Sequence, residues 1–195
     1  MKRLATTFAI LTVVATAAPA AATTVQLLNL DQLITGATHV VEGEVIDGVS
    51  LWRGKLLVTR VQLRVQDCMK GSCGETTMNI DVLGGEQDGL AMVVEGSPRF
   101  SPGENVVLFL QPVAAGTFRT VGMAQGKFVV GQAADEADPE LVRDLSGLVL
   151  DSGRVSAAHN EDPFSGLRLS DIKRQVVALG HPSVEEATAL ARRVR

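Results

Sequence analysis

Cys68 and Cys73 lie in one short segment, Asp67-Cys68-Met69-Lys70-Gly71-Ser72-Cys73-Gly74. Four residues between the sulfurs is not the C-x-x-C spacing of a redox dithiol. No second Cys pair or nearby His completes a zinc set, so a metal pair is the weaker alternative to a structural disulfide pinning a turn. A loop this small is worth about 2 kcal/mol in the chain-entropy model, so the bond would shape a loop more than hold a fold. The three histidines, His39, His159 and His181, are scattered. None has a second ligand at metal-binding spacing, and strand alternation puts His39 on the face opposite Glu42 and Glu44. The chain has no G-x-S-x-G, P-loop, G-x-G-x-x-G or H-E-x-x-H. Gly84-Gly85-Glu86-Gln87-Asp88-Gly89 offers oxygen ligands but lacks the spaced acids and terminal Glu of a calcium loop, and reads as a hairpin turn. No catalytic residue, metal or cofactor is therefore expected; a hydrolase using Glu86 and Asp88 stands as an alternative.

Two groups of residues could serve binding. Trp52, the single tryptophan, sits in Ser50-Leu51-Trp52-Arg53-Gly54-Lys55 between two strand-like segments, with Arg53 and Lys55 beside it. An aromatic with basic neighbours is a contact element; the other reading is that Trp52 caps the end of a core. Arg60, Gln62, Arg64 and Gln66 alternate along one strand face, where they could meet an anionic partner or simply face water.

The elements that must position these residues show in the period of the sequence. Leu30, Leu33 and Ile34 recur at helical spacing within Leu28–Thr35, with Gly36 as the stop. Val41, Gly43 and Val45 then alternate with Glu42 and Glu44, and Leu57, Thr59, Val61, Leu63 and Val65 alternate with the Arg/Gln row. Met78–Val82, Leu90–Val94, Asn105–Leu110, Phe118–Met123 and Lys127–Val130 continue as short strands between Gly-containing turns. No helices separate them, which points to a small closed barrel rather than an open parallel sheet, and Gly43 on an inward face suits a sharply coiled strand. Beyond residue 131 the chain reads as a linker and three helices. The first would be capped by Asp138 with Leu141, Leu145 and Leu148 on its stripe. The second would open at Ser170, carry Ile172, Val176 and Leu179, and close at Gly180; the third would open at Ser183.

Residues 1–22 have the three parts of an export signal: Lys2 and Arg3, an apolar stretch to about Ala18, and Ala20-Ala21-Ala22. Its loss would leave 16 basic residues against 22 acidic ones, net −6, which argues against nucleic acid as a partner. No later segment approaches the ~20 apolar residues of a membrane span. The expected organisation is a signal peptide over 1–22, a barrel over 23–131, and a linker with C-terminal helices over 132–195.

Ala37-Thr38-His39-Val40-Val41-Glu42-Gly43-Glu44-Val45, the strand entering Cys68-Met69-Lys70-Gly71, the run Gly103-Glu104-Asn105-Val106-Val107-Leu108-Phe109-Leu110, and Gly122 to Gly126 follow one another in a distinctive order. That order resembles the netrin-like domain of the tissue inhibitors of metalloproteinases, a five-stranded OB-type barrel, and also exported bacterial proteins of unassigned role. The resemblance covers roughly residues 28–131. It implies a mainly β, OB-like barrel of five to seven strands, with a short N-terminal helix and a helical C-terminal appendage, that binds another macromolecule. Those inhibitors use several disulfides and an N-terminal Cys; this chain has two cysteines and neither stands at the expected mature N-terminus, so no inhibitory residue carries over. The expected role is a secreted or periplasmic, non-enzymatic protein that recognises a protein or glycan through the open barrel end, Trp52, Arg53, Lys55, Arg60 and Arg64. An envelope structural role is the other alternative. Mass spectrometry of the exported protein should find an N-terminus within a few residues of Thr23, and an intact Met1 there would refute cleavage.

Overall fold

The computed structural model describes residues 24–131, 137–146, 148–151 and 164–180. The expected signal peptide, residues 132–136, His159, and everything from His181 on, including the helix expected at Ser183, lie outside the described residues. After β1 (Thr24–Gln26) and α1 (Leu30–Gly36), two long strands follow, β2 (His39–Arg53) and β3 (Leu56–Lys70), then β4 (Thr77–Leu83). A small hairpin, β5 (Gly85–Gln87) and β6 (Leu90–Met92), interrupts the connection to β7 (Asn105–Ala114) and β8 (Thr117–Thr120). A 3-10 turn (Met123–Gly126), β9 (Lys127–Val130), β10 (Leu141–Val142), β11 (Val149–Asp151) and α2 (Leu169–Gly180) complete the described chain.

The sheet order β7-β2-β3-β4-β8 returns on itself because β8 also pairs with β7. The ring has five strands, antiparallel throughout except where β4 meets β8 in parallel. This is an OB-like barrel, as expected. β8 occupies the C-terminal half of one β7 edge, β9 the N-terminal half, and β10 adds outside β9. Ring closure demands strong coiling, and β2 provides it through three register slips against β3, between Val40/Val41, Glu42/Gly43 and Val45/Asp47. Gly43 is required at the tightest point: a Cβ there would run into the Arg64 carbonyl and lie 3.0 Å from Leu63 Cγ.

Val106-Val107-Leu108-Phe109-Leu110 has no polar face because β7 is covered on both sides. Val106, Leu108 and Leu110 fill the barrel with Val41, Val61, Leu63 and Ile80. Val107 and Phe109 point outward, beneath α1 and α2, into a second core with Leu33, Ile34, Phe128 and Ile172.

Local signals explain the helix boundaries. Asn29 begins α1 with a capping box, its side chain accepting from Gln32 N at 2.8 Å while Asn29 N donates to Gln32 Oε1 at 2.9 Å. Lys70 finishes it, its Nζ donating to the carbonyls of Ile34 at 2.6 Å and Ala37 at 2.8 Å. Gly36, read as the stop, is the helix's last residue. α2 spans the expected segment and buries Ile172 and Val176, but Leu179 is exposed.

The helix expected after Asp138 is not there. Leu141–Val142 instead form β10, and Leu141 is buried in the helix-side core. Burial against β9 and α2 outweighs a weak local helix preference. The Asp138 cap is real but serves α2, accepting from Ser170 N at 2.8 Å and Ser170 Oγ at 2.7 Å. These bonds hold its carboxyl below the usual range. The fourth strand is shorter than expected, and residues 93–94 lie outside it.

Lys173 ties α2 to the barrel, with Nζ 2.9 Å from Asp67 Oδ2 and 3.3 Å from Glu42 Oε2. The hydrogen bond to Asp67 chiefly holds the ammonium above its ordinary pKa, against the opposing effect of burial and with help from the Glu42 charge. A pKa raised by folding stabilises fully below the ordinary lysine value of about 10.4, and that contribution fades as pH rises through the folded value. Urea titrations at about pH 8 and about pH 11 should therefore show wild type losing more stability than Lys173→Met between the two. Equal losses would remove this tie from the stability of the fold.

Candidate functional site

β2 leaves β7 at Glu44, and Val45 makes the last contact, donating to Glu104 O at 2.9 Å and accepting from Gly103 N at 2.8 Å. The slip between Val45 and Asp47 leaves Ile46 as a bulge. From there β2 and β3 run on past the barrel to a two-residue turn, Gly54-Lys55. Trp52 lies opposite the fully buried Leu57, yet is itself 41% exposed. Arg53 and Arg60, on the other face, converge on Asp81, which is only 8% exposed: Arg53 Nη2 is 3.0 Å from Oδ2 and Arg60 Nε 2.9 Å from Oδ1. The Asp81 hydrogen bond, reinforced by its charge, raises the Arg60 pKa further above its ordinary value. Arg64 stands further along β3 and pairs with Glu44 at 2.9 Å. Lys55 is exposed in the turn.

The structure thus gathers Trp52, Arg53 and Lys55 at the hairpin end with Arg60 behind them, and places Arg64 apart. Arg53, Arg60 and Arg64 are each already matched by a carboxylate of this chain. Sequence reasoning missed Asp81 because its place opposite Arg60 is set by the β3–β4 register.

A second feature was not legible as a site. A cavity of about 550 Å³ opens where the barrel interior ends at Val45, Val61 and Val82. Its far wall is the β4–β7 connection, residues 84–104, with Met92, Val93, Pro98 and Phe100. That connection is fastened at both ends. Near β4, Thr59 Oγ1 donates to Gly84 O at 2.9 Å and Glu86 N donates to Ser50 Oγ at 3.1 Å. Gly85, at φ 140°, lies so close to the hairpin that a Cβ would meet Thr59 Oγ1 at 2.5 Å. At the other end the buried Lys127 donates to the Arg99 carbonyl and to both Glu104 oxygens at 2.8 Å, with its Nζ 4.8 Å from the Phe100 ring centroid.

Asp47, Glu86 and Glu95 line this cavity, whereas Asp88 sits outside it in the β5–β6 turn, where Asp88 and Gly89 have φ 54° and 73°. Among the described residues no group of three His, Cys, Asp or Glu could hold a metal ion. His39 packs its ring edge-on to Phe118, centroids 4.8 Å apart. Cys68 and Cys73 form a disulfide at the end of β3, their Cα atoms 6.1 Å apart. No described helix is long and apolar enough to cross a membrane.

Compared with known proteins, the chain matches no family model, no curated protein and no solved structure.

Asp81→Ala would strand two guanidinium groups, and because both are partly exposed the expected cost is about 1 kcal/mol by urea titration. An unchanged midpoint would mean that these pairs hold nothing together.

Proposed function

We propose that this chain is an exported, non-catalytic binding barrel that receives an apolar anchor of a protein partner in its open end. The cavity carries the reading. Its volume suits a side-chain cluster or a small ligand, and Val45, Val61, Val82, Met92, Val93 and Phe100 give it an apolar part beside the polar Asp47, Thr59, Glu86, Glu95 and Arg99. A glycan is less well served, since Trp52 is not among the lining residues. The Cys68–Cys73 bond and the leader-like residues 1–22 support an oxidising compartment outside the cytosol. The closed five-strand ring supports kinship with netrin-like barrels, and an inhibitor-like role rests on that fold analogy alone. A hydrolase is the second reading, favoured by the presence of Asp47, Glu86 and Glu95 along the same cavity.

Ala91 lines the cavity from β6 and is exposed, so Ala91→Trp should obstruct the site without entering the barrel core. Affinity capture from the producing cell's envelope and medium, followed by titration of the recovered partner, should show about tenfold weaker binding by Ala91→Trp at an unchanged thermal midpoint. Equal binding would overturn the cavity as the site. Recovery of a carbohydrate would change the partner class, and a hydrolytic activity lost in Glu86→Gln would replace binding with catalysis.

A further inference from the structure

Beyond Glu44 one edge of the projecting hairpin is bare. From Ile46 to Arg53, β2 pairs only with β3 among the described residues. The edge is long and exposes apolar side chains among polar ones, with Val49 60% exposed and Trp52 41% exposed. Edges of this kind are blunted or paired in native proteins.

The turn determines which backbone groups face outward. Arg53 and Leu56 flank a two-residue turn, so they exchange both hydrogen bonds with each other. Alternation then aims the N–H and C=O groups of Leu51 and Val49 at β3, and those of Trp52, Ser50 and Gly48 at the open side. The outward N–H of Gly48 donates to Asp47 Oδ1 at 2.7 Å, a bond between neighbouring residues that an incoming strand can replace.

We propose that this edge joins two copies of the chain, paired antiparallel about a two-fold axis at Ser50. In that register Asp47 faces Arg53 of the second copy at both ends, and Val49 faces Leu51 between them. On the other face Gly48 lies opposite Trp52, so each indole covers a position without a side chain, the pairing that relieves an edge glycine. Ser50 meets Ser50 at the centre, and about six ladder hydrogen bonds form. Arg53 reaches Asp81 across β3, so in the dimer its partly exposed guanidinium swings back to the open edge to meet the second copy's Asp47, and Arg60 keeps Asp81 paired. An axis one residue away, at Val49 or Leu51, would set an apolar side chain against Asp47 or Arg53. The complementarity thus belongs to one register, and a second copy is the occupant that supplies it.

Sedimentation velocity of the purified chain over the micromolar range should show the mass of two chains, with the dimer fraction rising with concentration. A single-chain mass throughout would overturn the proposal. Asp47→Lys and Arg53→Glu each place like charges at both ends, so each variant alone should self-associate about tenfold or more weakly than wild type. An equal mixture of the two should restore the dimer, because each then meets opposite charge. Undiminished dimers in either folded variant, or no rescue on mixing, would overturn this register. If Arg53→Glu fails to fold beside Asp81, Asp47→Lys alone decides. The cavity variant Ala91→Trp should dimerise like wild type, which separates this contact from the binding site.

Discussion

Four residues hold the barrel closed. Thr117–Thr120 pair antiparallel with β7 and in parallel with β4, and without them β4 would end an open meander. A ring of only five strands coils so tightly that β2 cannot follow it as a regular strand. It bends at three register slips and admits no side chain at Gly43. The last slip, at Ile46, turns β2 away from β7, and the projecting hairpin, the cavity and the bare edge all follow from that departure.

Three lysines fasten elements to the barrel from outside. Lys70 satisfies the last carbonyls of α1, Lys127 holds the end of the β4–β7 connection through Arg99 and Glu104, and Lys173 ties α2 to Glu42 and Asp67. A long aliphatic stem crosses the apolar surface while the ammonium reaches several acceptors at its end. The same geometry gives the Lys70-Gly71 pair of the sequence a structural reason: the lysine completes a helix and the glycine, at φ 91°, packs against His39.

The cavity and the bare edge are two sides of one hairpin. Ser50 and Thr59 direct their hydroxyls to the β5 side, where they hold the cavity wall, while the backbone of Ser50 faces the open edge. The proposed cavity site and the proposed edge pairing would share Asp47 and Gly48, which line the cavity and lie on the edge. On the outer face Arg53 and Arg60 both pair with Asp81.

Period and turn chemistry by themselves determined the barrel class, the central parts of β2, β3, β4, β7 and β9, the cysteine pair and the span of α2, because alternation, glycine punctuation and short-range spacing are local properties. Asp138 was legible as a cap and Arg60 as an outward cation, since side-chain chemistry and strand face follow from the residue and its neighbours. Their partners were not legible. Asp138 caps a helix that begins 31 residues later, and Arg60 meets Asp81 through a register that the β3–β4 pairing alone establishes. Leu141 could have joined a helix stripe or a strand, and only the space beside β9 and beneath α2 decided for the strand. The cavity was invisible for the same reason: its walls come from β2, β3, the end of β4, the β4–β7 connection and Ser146, and burial, register and closure are sums over contacts that no local window contains.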